Sequence, residues 1–478
     1  MASCARSTQP PVAATEQTAE TADTSAIDTA SNDSSTPDTA VNASDTAADP
    51  TVSAPSSDTN SEISSADAEI SAGETAAPNP SDEQLAAEQA AENDNSQVNT
   101  ENAGISDASG NTTSGMTAPE MTPIQKLIAE QHYAEARNLA LKALREGETS
   151  DSSEFWAAVE SDPLLTQTLF SEVKPHGTNS ISALGGGSTV SFKYKDSADE
   201  NAKAALKPDQ DLRQTMYRSG IAYYRLCQIL GCSFDTPVSR PAKFSKADFN
   251  TLYNASDSSK NKGYRAKFEH LIWEKENGTT YLYTSYKEWI SPFASFPIEA
   301  TGVWSPLLKN PNAKLPEVRT FLKNILSGGR PGAVSDLGKL TEYAGNLTTR
   351  DLLQQISDII LLDYLTNNWD RFAGDQSNFG ANCHFQPGGI IAIDNDAAFP
   401  AWHAPRVVRR LNMVEMFSRD LVNNLRVLDE NVLFDHLFPN ATKEEKKSFQ
   451  RFSERRRDAL KYIDGLIQKK GEDRVLVF

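Results

Sequence analysis

The chain has 478 residues, of which 65 are acidic and 46 are basic, and its net charge is −19. This acidity belongs to residues 1–120, which hold 21 acidic residues and one basic residue and carry −20, so the rest of the chain carries +1. A nearly neutral remainder excludes a protein that binds nucleic acid through bulk positive charge. No run approaches the roughly 18 to 20 apolar residues of a membrane helix. The basic runs 406–410 and 451–457 are predicted to be solvated helix faces.

Residues 1–120 contain no Phe, Tyr or Trp and consist mainly of Ser, Thr, Ala, Asn and acidic residues. Such a segment cannot bury enough apolar surface to offset the entropy of ordering, so we predict a disordered acidic tether. Its first residues, "MASC", resemble the end of a bacterial lipoprotein signal. This resemblance implies a lipidated Cys4, a membrane tether and a place in the bacterial cell envelope, periplasmic or surface-exposed. The alternative is an incidental cysteine in a cytoplasmic protein.

Residues 121–172 are predicted to form a small helical segment. The stretch 123–148 has apolar residues at steps of three and four, with a break around Gln131 and His132, which indicates a helical hairpin. It resembles one tetratricopeptide-like unit, and such a unit cannot bury its apolar face alone. We therefore expect these helices, with a further one in 154–170, to pack as a cap on the main domain.

Residues 173–300 are rich in predicted strands. In "NSISALGGGSTVSFKYK", residues 179–195, apolar and polar side chains alternate after a glycine run, as in a half-buried strand. A short strand in 201–210 ends at Pro208, which cannot donate a hydrogen bond to the next rung. A helix is predicted over 212–230. Further on, Asn277 and Gly278 indicate a β-hairpin.

Residues 301–478 are predicted to be mostly helical. Thr348 and Asp351 have the spacing of a capping box before a long apolar stretch. Helices are also predicted over 413–428 and 443–467. The chain is therefore expected to be α+β, with a strand-rich N-lobe at 173–300, a helical C-lobe at 301–478 and a hairpin where the two meet.

The hairpin is predicted from two segments, "DYLTNNWDRFAGDQSNFG" at 363–380 and "PGGIIAIDNDAAF" at 387–399. A turn between two apolar strands would return Asp394 to within a few residues of Asn378, with Asp370 a short loop upstream. Clustered oxygens repel one another unless a cation lies between them. Mg²⁺ or Mn²⁺ accepts carboxylate, amide and phosphate oxygens, so a divalent metal site is predicted here.

The remaining groups that phosphoryl transfer requires also have candidates. The reaction needs a metal ion, a residue that orients the attacking hydroxyl, a lysine on the phosphates and a glycine-rich cover. Asp370 and Lys207 are the candidate catalytic residues, and Lys207 is also the candidate phosphate lysine. The candidate nucleotide-binding residues are Gly185, Gly186, Gly187, Ser188 and Lys207.

These motifs together resemble a family. "DYLTNNWDR" and "IAIDNDAAF" resemble the catalytic segments of the four-jointed and Golgi casein kinase type of secretory-pathway kinases. They are also similar to type II phosphatidylinositol 4-kinases and, at "NFG", to HipA-like kinases. The resemblance covers about residues 178–470, because the glycine run, "AALKP" and "IAYYRL" occur in the order of glycine loop, phosphate lysine and first helix.

The resemblance implies a bilobal protein-kinase-like (atypical kinase) fold at 173–478, with ATP as donor and Mg²⁺ or Mn²⁺ as cofactor. Asp370 would orient the acceptor hydroxyl and Arg371 would brace its loop. Asn378 and Asp394 would bind metal, the latter in the position of the aspartate of Asp-Phe-Gly, and Lys207 would contact the phosphates. The acceptor is expected to be a protein Ser/Thr or a sugar hydroxyl, with an inositol headgroup as a further alternative.

The sequence departs from the family pattern twice. Relatives place the metal asparagine five or six residues after the catalytic aspartate, whereas Asn378 follows Asp370 by eight, so Asp375 is an alternative ligand. Relatives also have a helix glutamate that holds the phosphate lysine, and Gly220 stands in its place. Either another acid substitutes for it, or activity is weak, or the chain is a pseudokinase. The candidate substitutes are Asp209, Asp211 and Glu288.

We therefore expect an active, metal-dependent kinase, with a nucleotide-binding pseudokinase or scaffold lipoprotein as the alternative. Scarcity of ATP outside the cytoplasm favours this alternative if Cys4 is lipidated. A zinc hydrolase is less favoured, because the six histidines show no paired ligand spacing. Three further cysteines allow a bridge between Cys227 and Cys232, but buried free thiols are the simpler expectation.

Overall fold

The computed structural model describes residues 121–168, 170–174, 181–184, 189–195, 202–211, 216–255, 266–329, 333–372 and 380–478. Three groups of predictions lie outside these residues: the disordered tether at 1–120 with Cys4, the glycine run Gly185–Ser188, and the two alternative metal ligands Asp375 and Asn378. All elements given below belong to one compact unit, Ala118–Phe478.

The first half of the described chain begins with four helices and continues mostly with strands. Its elements in chain order are α1 (Pro123–Ala129), α2 (Tyr133–Glu146), α3 (Ser153–Ser161), α4 (Pro163–Thr166), β1 (Ser171–Glu172), β2 (Ile181–Ala183), β3 (Phe192–Tyr194), β4 (Ala204–Pro208), α5 (Tyr217–Leu230), β5 (Ser239–Ser245), α6 (Lys246–Ala255), β6 (Trp273–Glu276), β7 (Thr279–Glu288) and β8 (Ala294–Ser295).

The second half is mostly helical. Its elements are α7 (Thr301–Lys309), α8 (Val318–Gly329), α9 (Leu337–Ala344), α10 (Thr349–Thr366), β9 (Cys383–Gln386), β10 (Gly389–Ala392), α11 (Pro405–Leu411), α12 (Arg419–Val427), α13 (Glu430–Leu437), α14 (Lys443–Lys470) and α15 (Glu472–Val475). Short 3₁₀ turns occur at Ala266–His270, Ala333–Asp336, Asp370–Phe372 and Asn395–Ala397.

Strands β1 to β7 form a sheet with the order β1-β5-β7-β4-β3-β2, and β6 also pairs with β7. All pairs are antiparallel except β1 with β5. The predicted hairpin turn joins β6 to β7, where Asn277 and Gly278 both have positive φ, as a tight two-residue turn requires. This sheet has its own apolar core, which includes Phe192, Phe244 and Leu282.

Helix α10 is the centre of the second half. Apolar residues cover almost its whole circumference, so it is buried along its length. The predicted capping box is present: Thr348 Oγ1 accepts from the Asp351 backbone N–H at 3.3 Å, and the Thr348 N–H donates to Asp351 Oδ2 at 2.7 Å. Asn367 ends the helix in the left-handed conformation. The helix therefore begins and ends where short polar residues satisfy its terminal groups.

A second sheet, with the order β10-β9-β8, lies at the junction of the two halves. Asp235, between α5 and β5, makes a bridge to Ile391 on β10. Its backbone N–H donates to Ile390 O at 3.0 Å, and its backbone O accepts from the Ala392 N–H at 2.9 Å. The segment that leads from α5 back into the first sheet is thus hydrogen-bonded to the hairpin that carries Asp394.

One apolar cluster joins the N-terminal helices, α5 and the helices of the second half. The ring of Trp156 on α3 stacks on His436 of α13 with centroids 4.8 Å apart. Arg145 of α2 donates to Asn424 Oδ1 on α12 at 2.9 Å. The N-terminal helices therefore pack on the helical half.

The α+β class predicted from the sequence, with strands concentrated in the first half and helices in the second, is confirmed. Two predicted helices are shorter than expected. The first begins at Tyr217, because Met216 is extended, and the other begins at Arg419 rather than 413. The alternative of a Cys227–Cys232 bridge is wrong, since both residues are free thiols. Among the helices that the structure describes, none is long and apolar enough to span a membrane.

Candidate active site

Two lysines project from one face of the first sheet. In the antiparallel pairing of β4 with β7, Lys207 lies opposite Ser285 and Lys287 lies opposite Ala205. Side chains alternate along a strand, so Lys207 and Lys287 are diagonal neighbours on the same face. Both are largely buried, with 7% and 9% of their side chains exposed. A buried ammonium requires a partner carboxylate.

The hairpin of the second half supplies one such carboxylate. Cys383 on β9 pairs with Ala392 on β10, and the register continues with the Ile393 N–H donating to Asn382 O at 3.2 Å. The chain then turns at Asp394, whose φ is +51°. Lys207 Nζ donates to Asp394 Oδ1 at 3.2 Å. The structure thus brings together the lysine and the aspartate that the sequence predicts on opposite lobes.

Asp370 lies beside this pair, in the 3₁₀ turn after α10. Asn382 fixes it, because the Asn382 amide Nδ2 donates to Asp370 O at 2.9 Å and to Asp370 Oδ2 at 3.2 Å. Burial and the neighbouring Asp394 raise the pKa of the Asp370 carboxyl, although Asn382 and Lys207 act in the opposite direction. Asp370, Asp394 and Lys207 therefore form one electrostatic group.

Arg371 is fully buried next to Asp370 and braces the surrounding loops. Its Nε donates to Asp363 Oδ2 on α10 at 3.1 Å, and Nη1 donates to Ile393 O at 2.6 Å and also to Asn382 O. Nη2 donates to Asn395 Oδ1. One guanidinium therefore connects α10, the Asp370 turn and both ends of the hairpin, which is the geometry expected of the predicted bracing residue.

A second carboxylate, Asp396, lies in the 3₁₀ turn that follows Asp394. Its side chain is fully buried. Oδ2 accepts from Lys287 Nζ and lies 3.9 Å from Lys207 Nζ. Oδ1 has no hydrogen-bond partner among the described residues. Two ammonium groups and two carboxylates therefore form a balanced cluster of Lys207, Lys287, Asp394 and Asp396, here called the four-charge cluster.

The two carboxylates of this cluster differ in their acidity. The ammonium of Lys207 lowers the pKa of Asp394, against the effect of burial. Burial raises the pKa of Asp396, although Lys287 and Lys207 oppose that shift. For Lys207 burial favours the neutral amine, but Asp394 and Asp396 together raise the pKa of the ammonium. Asp394 is therefore the carboxylate that stays ionised most readily, and 40% of its side chain is exposed.

The structure corrects the expected substitute for the missing helix acid. None of Asp209, Asp211 and Glu288 forms an ion pair with Lys207 among the described residues, and Asp396 does. Glu288 follows Lys287 along β7, so it points to the opposite face of the sheet. Asp209 is partly buried near Arg218 and Glu274, and this burial raises its pKa to about 6.

Three residues of the site were not found from the sequence. Asn382 depends on the hairpin register, and Lys287 depends on the pairing of β4 with β7. Asp396 could have been found from the sequence, because Asp394–Asp396 reads Asp-Asn-Asp and so places a second carboxylate two residues after the predicted metal ligand.

The oxygens around Asp394 suit a hard cation. In the part of the chain that the structure describes, no group of three or more His, Cys, Asp or Glu side chains has the arrangement of a metal site. The pKa of Asp394 is lowered, however, and 40% of its side chain is exposed. The side-chain amide of Asn382 donates to Asp370 through Nδ2, so its Oδ1 is the atom of that amide that can accept a cation. One carboxylate and one amide oxygen, completed by phosphate oxygens, fit Mg²⁺ or Mn²⁺.

A cavity of about 290 Å³ lies elsewhere, beside α5. Its lining includes Tyr217, Arg218 and Arg225 of that helix together with Glu274 and Tyr283 of the sheet. None of the four-charge cluster lines it, so it is separate from the candidate active site.

No protein-family model matches the chain, and no curated protein matches it. Among solved structures, the chain is similar to the crystal structure of an aminoglycoside phosphotransferase from Alicyclobacillus acidocaldarius subsp. acidocaldarius DSM 446, with 12% identity. The similarity covers 61% of this chain and 92% of that chain, and the TM-score is 0.16. At such a score the similarity carries no weight for fold or chemistry, which rest on the geometry above.

Proposed function

We propose that this protein is a metal-dependent kinase that transfers a phosphoryl group from ATP to a hydroxyl acceptor. The observation that carries this proposal is the contact between Lys207 of the first lobe and Asp394 of the second, with Asp370 beside them. Phosphoryl transfer is catalysed mainly by positioning and by stabilisation of charge. A lysine, an ionised aspartate and a third carboxylate at a lobe junction are the groups that this catalysis uses.

Each residue has a defined task in this proposal. Lys207 donates to the oxygens of the donor phosphates. Asp394 and the side-chain Oδ1 of Asn382 would hold Mg²⁺ or Mn²⁺, which would neutralise the negative charge of the phosphates when bound. Asp370 accepts the hydrogen bond of the acceptor hydroxyl and orients it for attack. Arg371 keeps the Asp370 turn and the hairpin in register.

The finer assignments are also part of the proposal. The motifs "DYLTNNWDR" and "IAIDNDAAF" support a relative of the four-jointed and Golgi casein kinase type, with similarity to type II phosphatidylinositol 4-kinases and HipA-like kinases. This assignment favours a protein Ser/Thr or a carbohydrate hydroxyl as the acceptor. Metal would be bound by Asp394 together with Asn382 or Asn378, and the glycine run Gly185–Ser188 would cover the phosphates.

The location of the protein is a further part of the proposal. "MASC" supports a lipid on Cys4 and display from a bacterial envelope on a self-repelling acidic tether. Intact-mass analysis of the native protein is expected to show one lipidated cysteine. A native mass equal to that of the unmodified chain would contradict the tether and would favour a cytoplasmic kinase.

Phosphoryl transfer from labelled ATP tests the proposed function directly. The wild-type protein with Mn²⁺ or Mg²⁺ is expected to label itself or to hydrolyse ATP. Asp394→Ala is expected to lower this rate at least about 100-fold, because it removes the metal carboxylate and the partner of Lys207. Asp458→Ala changes an exposed aspartate on α14 and serves as the matched control with unchanged activity.

The pseudokinase alternative has a distinct outcome in the same experiment. ATP with metal would raise the thermal unfolding midpoint of the wild-type protein but not of Asp394→Ala, and neither protein would release or transfer phosphate. Equal rates in wild type and Asp394→Ala would instead contradict the assigned site. The absence of both ATP binding and turnover would contradict the proposed function as a whole.

A further inference from the structure

Helix α5 has no side chain where it passes the four-charge cluster. A Cβ atom added to Gly220 would lie 2.4 Å from Asp396 Oδ1, 3.3 Å from Asp396 Cγ and 3.2 Å from Lys287 Cε. Real Cβ atoms essentially never approach a heavy atom within 3.0 Å. The Asp396 carboxylate therefore occupies the space into which any side chain at position 220 would extend.

We propose that Asp396 is the positioning residue that holds Lys207 on the donor phosphates, in place of an acid on helix α5, and that Lys287 balances its charge. This inference rests on the proposed function. In protein kinases the lysine is held by a glutamate of the first lobe's helix. In this chain Gly220 occupies the helix position of that glutamate. The acid is instead Asp396, which lies two residues after Asp394, where Asp-Phe-Gly has its glycine.

The contacts of Asp396 support this role. Its side chain is fully buried, and burial of an uncompensated carboxylate is unfavourable by several kcal/mol. Lys287 supplies the ammonium that compensates Asp396, and Asp396 Oδ2 lies 3.9 Å from Lys207 Nζ. When Asp394 binds a cation, its carboxylate is shared with that cation, and Asp396 is the remaining carboxylate in an ion pair with Lys207.

The exchange changes how the site is assembled. An acid on α5 would lose its contact with the lysine whenever the helix moved away. Asp396 belongs to the same turn as Asp394, and its backbone O accepts from the Met216 N–H at 3.2 Å, which ties the start of α5 to this turn. The contacts among Lys207, Asp396 and Asp394 therefore do not depend on a side chain of α5.

Four variants test the exchange. Asp396→Asn with Lys287→Met removes both charges together, so no unpaired charge is left buried. This double variant is expected to lower kcat/KM for ATP about 100-fold with a small change in the unfolding midpoint.

Gly220→Glu and Asp396→Gly are each expected to have a lowered kcat/KM for ATP, the first because of the clash with Asp396 and the second because of the loss of the carboxylate. Gly220→Glu/Asp396→Gly places the acid on the helix and is expected to recover at least about tenfold over either single variant.

The readouts separate positioning from a structural role. Steady-state kcat and KM for ATP report on Lys207, and unfolding midpoints without nucleotide report on packing. Wild-type kcat/KM in Asp396→Asn/Lys287→Met, or an exchange variant no better than its single parents, would overturn the inference while leaving the proposed function standing. A wild-type protein that neither binds nor turns over ATP would overturn the proposed function and this role with it.

Discussion

At Gly220, one residue lacks a side chain because another residue's carboxylate fills the space. Glycine inside a helix is normally unfavourable by about 1 kcal/mol relative to alanine. At this position alanine is instead less favourable than glycine, because its methyl group would overlap Asp396 Oδ1. Overpacking a well-packed interior typically costs about 1 to 3 kcal/mol. Steric exclusion by Asp396 therefore outweighs the helix propensity of alanine.

Gly220→Ala is expected to lower the free energy of unfolding by about 1 to 2 kcal/mol, since overpacking exceeds the gain in propensity. The matched control is Gly465→Ala in α14, where an added Cβ meets no atom within 4 Å. That control is expected to gain about 0.5 to 1 kcal/mol. Urea unfolding measures both values, and a gain in Gly220→Ala would show that Asp396 does not occupy this space.

At the scale of elements, polar contacts join α5 and the residues that follow it to helix α10. Tyr223 Oη donates to Asp363 Oδ1 on α10 at 2.9 Å. Just after the end of α5, Ser233 donates to Asp358 Oδ2 through its N–H at 3.1 Å and its hydroxyl at 2.6 Å. These contacts fix α5 on α10, and α10 in turn leads to the turn that holds Asp370.

Tyr223→Phe removes one of these contacts and leaves Asp363 with Arg371 alone. A buried acceptor that loses its partner typically costs about 1 to 2 kcal/mol, and this loss in the free energy of unfolding is expected. Tyr224→Phe on the same helix is the control, since no hydrogen bond of the Tyr224 hydroxyl occurs among the described residues, and a change within about 0.5 kcal/mol is expected. Equal effects of the two substitutions would contradict the assigned contact.

Asp358 predicts a pH dependence of stability. Burial raises the pKa of its carboxyl to about 7, opposed by the hydrogen bonds from Ser233 and reinforced by the like charge of Asp420. Between about pH 4 and pH 7 the unfolded chain has released this proton and the folded chain retains it, so stability falls as pH rises. The slope is at most about 1.4 kcal/mol per pH unit.

Asp358→Asn removes this titration. Compared with the variant, the wild-type protein is expected to lose roughly 2 kcal/mol in the free energy of unfolding between pH 5 and pH 7. Denaturant unfolding of both proteins at several pH values measures the difference. Parallel pH profiles for the two proteins would contradict a raised pKa at Asp358.

At the scale of the whole molecule, the order of elements along the chain and the meeting of Lys207 with Asp394 were predictable, whereas the other side-chain contacts of the site were not. The glycine run, Lys207, the helix with Gly220, Asp370 and Asp394 are each recognised from a short stretch of sequence. Hydrophobic periodicity and the capping box at Thr348 were equally local. These features predicted two lobes, the central helix and the meeting of Lys207 with Asp394.

The residues that were missed depend on contacts between distant segments. Asn382 reaches Asp370 only through the register of β9 with β10, where a shift by one residue would turn it to the other face. Lys287 reaches Asp396 only through the pairing of β7 with β4. Asp396 replaces a helix acid only because Gly220 leaves room for it. None of these three distances can be obtained from spacing along the chain.

The most direct test of the central claim is a crystal structure of the wild-type protein with Mn²⁺ and a non-hydrolysable ATP analogue, with anomalous scattering used to locate the metal. The account predicts a Mn²⁺ peak roughly 2.1 Å from an oxygen of Asp394 and from the side-chain amide oxygen of Asn382 or Asn378, with Lys207 donating to the phosphates and Asp396 still beside Lys207. A peak or an analogue bound away from Asp394, or an ammonium of Lys207 that contacts no phosphate, would contradict it.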